Sequence, residues 1–320
     1  MKKIFLLFLA TSLATGLAFA QEQTPEALLN SALELANSGN EAFEAGSPEL
    51  ALEAFEQSLA MATQAGEVGA AHVETCKVAI CNIYMKLAKD AYRAKEWDSA
   101  AEKFVKAQEV AIAYGREDVA EEAAKLLTNT QANKLATAAN EAKKNKDYVT
   151  AAELYKQMVE MNPTNGAYLY QLADAYYRLK DWDNAVSTAE QARANGQERN
   201  ALSLLSKIYL SRCQESLKAK NNTEALEFAV KSNEYLESGN AYKLAASAAR
   251  ALNKLTLCEE MYIKYLELTP NAKDESSIYL TLAALYQKAN NKVKAREYYT
   301  KIINDPQHGA TAKAQLATLK

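Results

Sequence analysis

The stretch that decides the fold is Leu172-Ala173-Asp174-Ala175-Tyr176-Tyr177, followed after four residues by Trp182-Asp183-Asn184-Ala185. Two small residues, Ala173 and Ala185, stand twelve positions apart, and an aromatic ring precedes the second by three. Thirty-four residues upstream the spacing recurs as Ala139, then Tyr148-Val149-Thr150-Ala151. Further upstream it recurs as Ala88, then Trp97-Asp98-Ser99-Ala100. Across the chain the first small position is filled by Gly39, Ala88, Ala139, Ala173, Cys213, Ala246 and Ala283. The second is filled by Ala51, Ala100, Ala151, Ala185, Ala225, Cys258 and Ala295. Such a pair predicts two antiparallel helices that cross closely, because a larger side chain at the crossing would push the backbones apart.

Residues four and seven positions after the second small residue lie on one helical face. Phe55, Phe104, Tyr155, Tyr262 and Tyr299 occupy the first of these, with Ala189 and Ala229 as departures. Ser58, Ala107, Met158, Ala192, Ser232, Tyr265 and Ile302 occupy the other. Pro163, Pro270 and Pro306 then close their helices, since proline cannot continue one. Composition agrees. Only 10 Gly and 5 Pro occur in 320 residues, too few for the many turns of a sheet protein.

The pattern resembles the tetratricopeptide repeat over residues 27–306, most clearly at Asn133–Pro163, Ala167–Ala192 and Ser277–Pro306. It departs from the family period, near 34, at the first two intervals, where Ala51, Ala100 and Ala151 are about 50 residues apart. That predicts first helices lengthened by two turns, through Val68–Lys89 and Glu117–Asn140. The expected fold is all-α: a right-handed superhelical solenoid of about seven antiparallel helix hairpins. One hairpin cannot bury its own apolar face, so stacked neighbours supply the core and the terminal helix is polar outside. Residues 307–320 are read as that C-terminal capping helix.

The first twenty residues are different. Lys2 and Lys3, the apolar run Ile4–Leu9 and Ala18-Phe19-Ala20 form the tripartite signature of a secretory leader. Cleavage is expected between Ala20 and Gln21, leaving 21–26 as a short N-terminal segment. No cysteine stands near that point for lipid attachment, and no later stretch is apolar enough to span a bilayer. A periplasmic or secreted location follows as the expectation. Without Lys2 and Lys3 the 37 basic side chains fall to 35 against 40 acidic. This acidic balance speaks against a general binder of nucleic acid or anionic membrane.

Little in the sequence carries chemistry. His72 and Cys76 share a helical face, a spacing that can hold a metal or pair a thiol with a base. No further ligand set accompanies them, so packing is the simpler reading, and His308 reads as a surface residue. Cys76 and Cys81 sit five apart on one helix, roughly 8–9 Å between Cα atoms and beyond disulfide reach. Cys213 and Cys258 occupy crossing positions, which predicts burial. The paired carboxylates Glu121-Glu122 and Glu259-Glu260 suit the wet side of amphipathic helices. The expectation is a protein that is not an enzyme and needs no cofactor or metal.

The family resemblance implies a concave groove lined by the first helix of each hairpin, taking a peptide or partner protein. Offsets from the first small residue then give the groove candidates: Lys86, Lys89, Tyr92, Arg93, Asn133, Asn140, Lys143, Tyr170, Gln171, Asp174, Tyr177, Arg178, Lys207, Gln214, Lys243 and Arg250. Basic residues outnumber Glu44 and Asp174, the only acids at these offsets, which suits an acidic or carboxylate-bearing peptide. Many of these cations close a first helix, where they complement its dipole without any ligand. The family's carboxylate clamp is incomplete: Asn140 and Lys207 fall in suitable positions, but Ala136 stands where a lysine is required. The functional expectation is an exported interaction scaffold; a structural or self-assembling envelope protein is the alternative, and after it an enzyme whose site the sequence does not disclose.

Overall fold

The computed structural model describes residues 24–319. The expected leader and its cleavage point at Ala20 and Gln21 lie outside the described residues. The described chain is all-α. In order the helices are α1 (Pro25–Glu44), α2 (Pro48–Gln64), α3 (Ala70–Arg93), α4 (Trp97–Ala113), α5 (Glu117–Lys144), α6 (Tyr148–Met161), α7 (Gly166–Leu179) and α8 (Trp182–Ala194). They continue as α9 (Glu198–Lys218), α10 (Asn222–Tyr235), α11 (Gly239–Ala251), α12 (Leu255–Leu268), α13 (Glu275–Lys288), α14 (Lys292–Lys301) and α15 (Gly309–Thr318). No described helix is long and apolar enough to cross a membrane.

Helix ends follow local chemistry. Thr24 caps α1 by accepting from the Ala27 amide at 3.3 Å, with Pro25 in the first turn where its missing N–H costs nothing. Asp147, Asp181, Asn221 and Asn291 cap α6, α8, α10 and α14 in the same way. Pro163, Pro270 and Pro306 stand beyond the ends of α6, α12 and α14, as their inability to donate a backbone bond requires.

Both sets of small residues are where the spacing put them. Every named crossing alanine and cysteine from Ala51 to Ala295 is fully buried. Gly39 shows why the position must be small: a Cβ there would lie 2.9 Å from the ring of Phe55. The faces four and seven positions further on are buried as well, from Phe55 and Ser58 to Tyr299 and Ile302. Each burial draws on the hydrophobic term that a lone hairpin cannot supply.

Within a hairpin the two helices are joined by one recurring turn. Its middle residue is left-handed in every case: Gly46, Lys95, Lys146, Lys180, Lys220, Asn253 and Asn290, with φ between 57° and 76°. The next amide reaches back five residues, as Asp147 N to Ala142 O at 2.8 Å and Asp181 N to Tyr176 O at 3.0 Å. This closes the first helix by a Schellman bond and aims the chain straight back.

The lengthened helices are present, at 24 residues for α3 and 28 for α5 against 14 for α7. Val68 is not part of α3. It lies in a separate 3-10 turn, Gly66–Gly69, because Gly66 leaves α2 with a positive φ and the helix restarts at Ala70. The chain divides into two compact units within α5, one up to Lys134 and the other from Leu135. In the second unit α15 packs on α14 through Ala312, Leu316 and Leu319.

All four cysteines are free and buried. Burial pushes the thiols of Cys213 and Cys258 up to about 11. Each therefore stays protonated and inert at neutral pH.

Candidate functional site

First helices carry the exposed polar offsets, because their other sides are committed to the crossing residues and to the partner helix. In the first unit this brings together residues of α3 and α5. Lys86 pairs with Asp90 at 2.6 Å, Arg93 with the same carboxylate at 3.0 Å, and Lys89 with Glu122 at 2.8 Å. Asn133 donates to the Tyr92 hydroxyl at 2.7 Å, and the Tyr92 ring meets Trp97 edge-on at 5.5 Å. The Lys86 hydrogen bond, opposed by burial and aided by the charges of Lys86 and Arg93, holds Asp90 below the usual carboxylate range.

In the second unit the candidates converge on Asp174. Its side chain is 14% exposed and pairs with Lys143 of α5 at 2.9 Å and with Arg178 at 3.5 Å. Lys143 also donates to Gln171 at 2.8 Å, and its ammonium lies 5.9 Å from the Tyr155 ring centroid. Tyr155 in turn donates to Asn140 at 2.9 Å. One turn on, Tyr177 meets Ser211 of α9 at 3.3 Å and its ring leans on Trp182 at 6.0 Å. Burial, and then the Asp174 charge, push the Tyr170 phenol up.

Side chains of α5, α7 and α9 thus form a continuous polar and aromatic ladder. A depression of about 300 Å³ opens beside it, lined by Tyr177, Arg178, Trp182, Ser211, Gln214 and Lys218. Lys207 lies one turn before Ser211 on the same face of α9, exposed, with no ion pair among the described residues.

Other candidates stand apart from this cluster. Lys243 of α11 pairs with Asp274 at 2.7 Å and sits 5.3 Å from the Tyr265 ring centroid, while Arg250 is exposed at the end of α11. The sequence reading missed Asp90, Glu122, Glu215 and Asp274. Asp90, Glu122 and Asp274 neutralise cations that offset counting left unmatched; Glu215 pairs at 2.5 Å with Lys180, which lies outside those offsets. The basic bias expected from those offsets lies on an ion-paired surface with local cationic surplus. Asp90 and Glu215 both stand two positions after a crossing residue, an offset that could have been added to the pattern.

His72 has a packing role. Ser58 donates to the Ala32 carbonyl at 2.6 Å, so its oxygen is left to accept from His72 Nε2 at 2.9 Å. Cys76 lies 3.5 Å from the same nitrogen and is fully buried. His308 is half-buried rather than on the open surface: Ser277 meets its Nε2 at 3.0 Å and Asp305 accepts its amide at 2.7 Å. Among the described residues, no three His, Cys, Asp or Glu side chains gather as a metal site.

Residues 142–208, from the end of α5 to α9, match the sequence profile of the tetratricopeptide repeat. This segment carries tetratricopeptide repeats. The small glutamine-rich tetratricopeptide repeat-containing protein 2 of Saccharomyces cerevisiae is 40% identical over 65 residues, which is 20% of this chain and 19% of that protein. Solved structures show a looser likeness. MamA of Desulfovibrio magneticus is 18% identical, covering 54% of this chain and 93% of its own, with a TM-score of 0.35. A tetratricopeptide repeat protein of Parabacteroides merdae is 12% identical, covering 91% and 99%, with a TM-score of 0.28. The matched repeats carry Lys143, Asp174, Arg178 and Lys207, so the ladder lies on the segment most typical of the family.

Proposed function

We propose that this protein is an exported, non-catalytic adaptor that holds a segment of a partner protein against the first helices of its second unit. The observation that carries this reading is the cluster around Asp174. Two cations, Lys143 and Arg178, share one carboxylate, with the amides of Asn140 and Gln171 and the rings of Tyr170 and Tyr177 beside them. Half-exposed donors and aromatic faces at helical intervals suit a docked peptide, and rigid helices pre-arrange them at little entropic cost. Lys207, with no ion pair among the described residues, adds positive charge one turn before Ser211. A segment bearing carboxylates fits this surplus best.

Export rests on Lys2, Lys3, the apolar run and Ala18-Phe19-Ala20. The mature chain then begins at Gln21 and works in a periplasm or outside the cell. Affinity capture from an envelope extract tests the reading, comparing the wild type with the triple variant Arg178→Glu, Lys207→Glu, Gln214→Ala. All three side chains are exposed, so folding is little changed. A partner retained by the wild type and lost by the variant supports the assignment. Equal loss on reversing Lys156, Lys231 and Lys264 on second helices contradicts it.

A further inference from the structure

The left-handed residue of a Schellman turn is ordinarily glycine or asparagine, because a Cβ there strains the backbone. In the second unit three successive hairpins place lysine at this position instead: Lys146, Lys180 and Lys220, with φ of 60° or 61°. The fourth and fifth turns use asparagine, but Lys254 follows in one and Lys292 and Lys294 in the other. These last three stand at the starts of α12 and α14, where the helix dipole disfavours a cation. Dipole chemistry explains Lys144, Lys218 and Arg250 at first-helix ends; it does not explain these turn lysines.

The turns share one edge of the second unit. Trp182 of the α7–α8 turn and Asn221 of the α9–α10 turn line one depression, and Lys180 reaches Glu215 near the end of α9. Lys294 of the last turn bonds to Glu259, in the second turn of α12. Adjacent turns are thus spaced by helix packing, roughly 10 Å apart. Lys144, Lys146, Lys218, Lys220, Arg250 and Lys254 form no ion pair among the described residues. The acids here are Glu141, Asp147, Asp181, Asp183, Glu215, Glu224 and Glu259, fewer than the cations, and Asp147 and Asp181 are tied to helix caps. The opposite edge is reversed in sign, with Glu160, Glu198, Glu234, Glu237, Glu267, Asp274, Glu275 and Asp305 against Arg193, Arg199, Lys273 and Lys301.

Apolar side chains are exposed among the turn lysines. Val149 is 55% exposed, Leu179 38%, and Val293, between Lys292 and Lys294, 80%. Flexible ammonium groups on protruding turns, with short apolar residues between them, match a flat anionic surface with an apolar layer beneath.

We propose that this turn edge is a second interaction surface, separate from the first-helix face, that docks the protein peripherally on a membrane carrying anionic phospholipid. The net negative charge of the chain conceals it, because the compensating acids lie on other faces. An acidic protein or a nucleic acid would use the lysines but leave Val149, Leu179 and Val293 without a role.

Sedimentation with lipid vesicles tests the proposal, comparing phosphatidylcholine alone with phosphatidylcholine holding about 40% phosphatidylglycerol. The variant is the triple Lys146→Gly, Lys180→Gly, Lys220→Gly, which removes charge while relieving a strained turn, so lost binding cannot be lost folding. Residues 1–20 are common to every protein compared and cancel. Each lysine near an anionic surface is worth roughly five-fold in partitioning, so the triple variant should bind about a hundred-fold more weakly. Binding of the wild type should also collapse at about 0.5 M salt. The control is the set Lys156→Gly, Lys231→Gly, Lys264→Gly on second helices, with folding checked by circular dichroism. Equal affinity for both vesicles, equal loss in folded control and edge variants, or binding to polyglutamate or DNA but not vesicles overturns the proposal.

Discussion

Removing the carboxylate of Glu259 should loosen the last hairpin specifically. Glu259 lies in the second turn of α12 and its side chain is 14% exposed. It accepts from the Tyr286 hydroxyl at 2.5 Å, and from Tyr298 and Lys294 as well. Those donors belong to α13 and α14, so one anion ties two helices to the preceding hairpin. Burial alone would raise its pKa; the three donors outweigh burial and hold it below the ordinary carboxylate range. Hydrogen bonds to a charged group contribute about 1.5–3 kcal/mol each, and stranded hydroxyls cost more. Water can recover some of that at a site still 14% open, so Glu259→Ala should cost about 3 kcal/mol. In a repeat array such a loss stays local. Native-state hydrogen exchange should show amide protection over α13 and α14 falling about a hundred-fold, with α7 and α8 unchanged. Because the folded pKa is depressed, the carboxylate's contribution is fully present above the unfolded value near 4.3. It is lost as pH falls through the lower folded value, so wild type and variant should converge in acid. A change below three-fold, or one spread evenly over both units, would refute the reasoning.

Three further outcomes follow from the turns and the core. Lys146→Gly and Lys220→Gly should each stabilise by about 0.5–1 kcal/mol in thermal melts, since relief of left-handed strain exceeds the entropy cost of glycine; a lowered melting temperature would count against the turn geometry. Gly39→Ala should destabilise by about 1–3 kcal/mol, because its methyl group meets the Phe55 ring and overpacks the crossing; denaturant titration would show it, and a neutral result would mean that Phe55 has room to turn. Thiol labelling of the native chain should be slow at all four cysteines and yield four free thiols in denaturant without reductant; a peptide linking Cys213 to Cys258 would show otherwise.

The fold was legible because its main constraint is steric and periodic. A crossing that tolerates only a small residue leaves the same mark in every hairpin, whether Ala173 or Cys213 fills it. The turns were less legible: nothing in Lys146 or Lys180 announces a left-handed backbone, since the Schellman bonds that impose it come from the helices on either side. For the candidate site, offsets from the crossing residue found Lys143, Gln171, Asp174 and Tyr177, which the structure brings together. They missed Glu122 because α5 runs 28 residues, and a side chain far upstream of Ala139 falls outside offsets suited to a short helix. Asp274 was missed because it stands just before α13 and not on its face. Local spacing gave the face; cross-helix pairing, which sets its charge, depends on how each helix is phased against the next.

Site-specific photo-crosslinking in the native envelope tests the central claim most directly. A photoreactive residue placed at Gln171 or Gln214 looks outward from the first-helix face of the second unit, while one at Lys156 or Lys231 looks outward from second helices. A protein adduct at Gln171 and Gln214, and none at Lys156 or Lys231, is the result the adaptor reading predicts. Adducts of equal yield at both sets, or adducts at the second-helix positions alone, would contradict it.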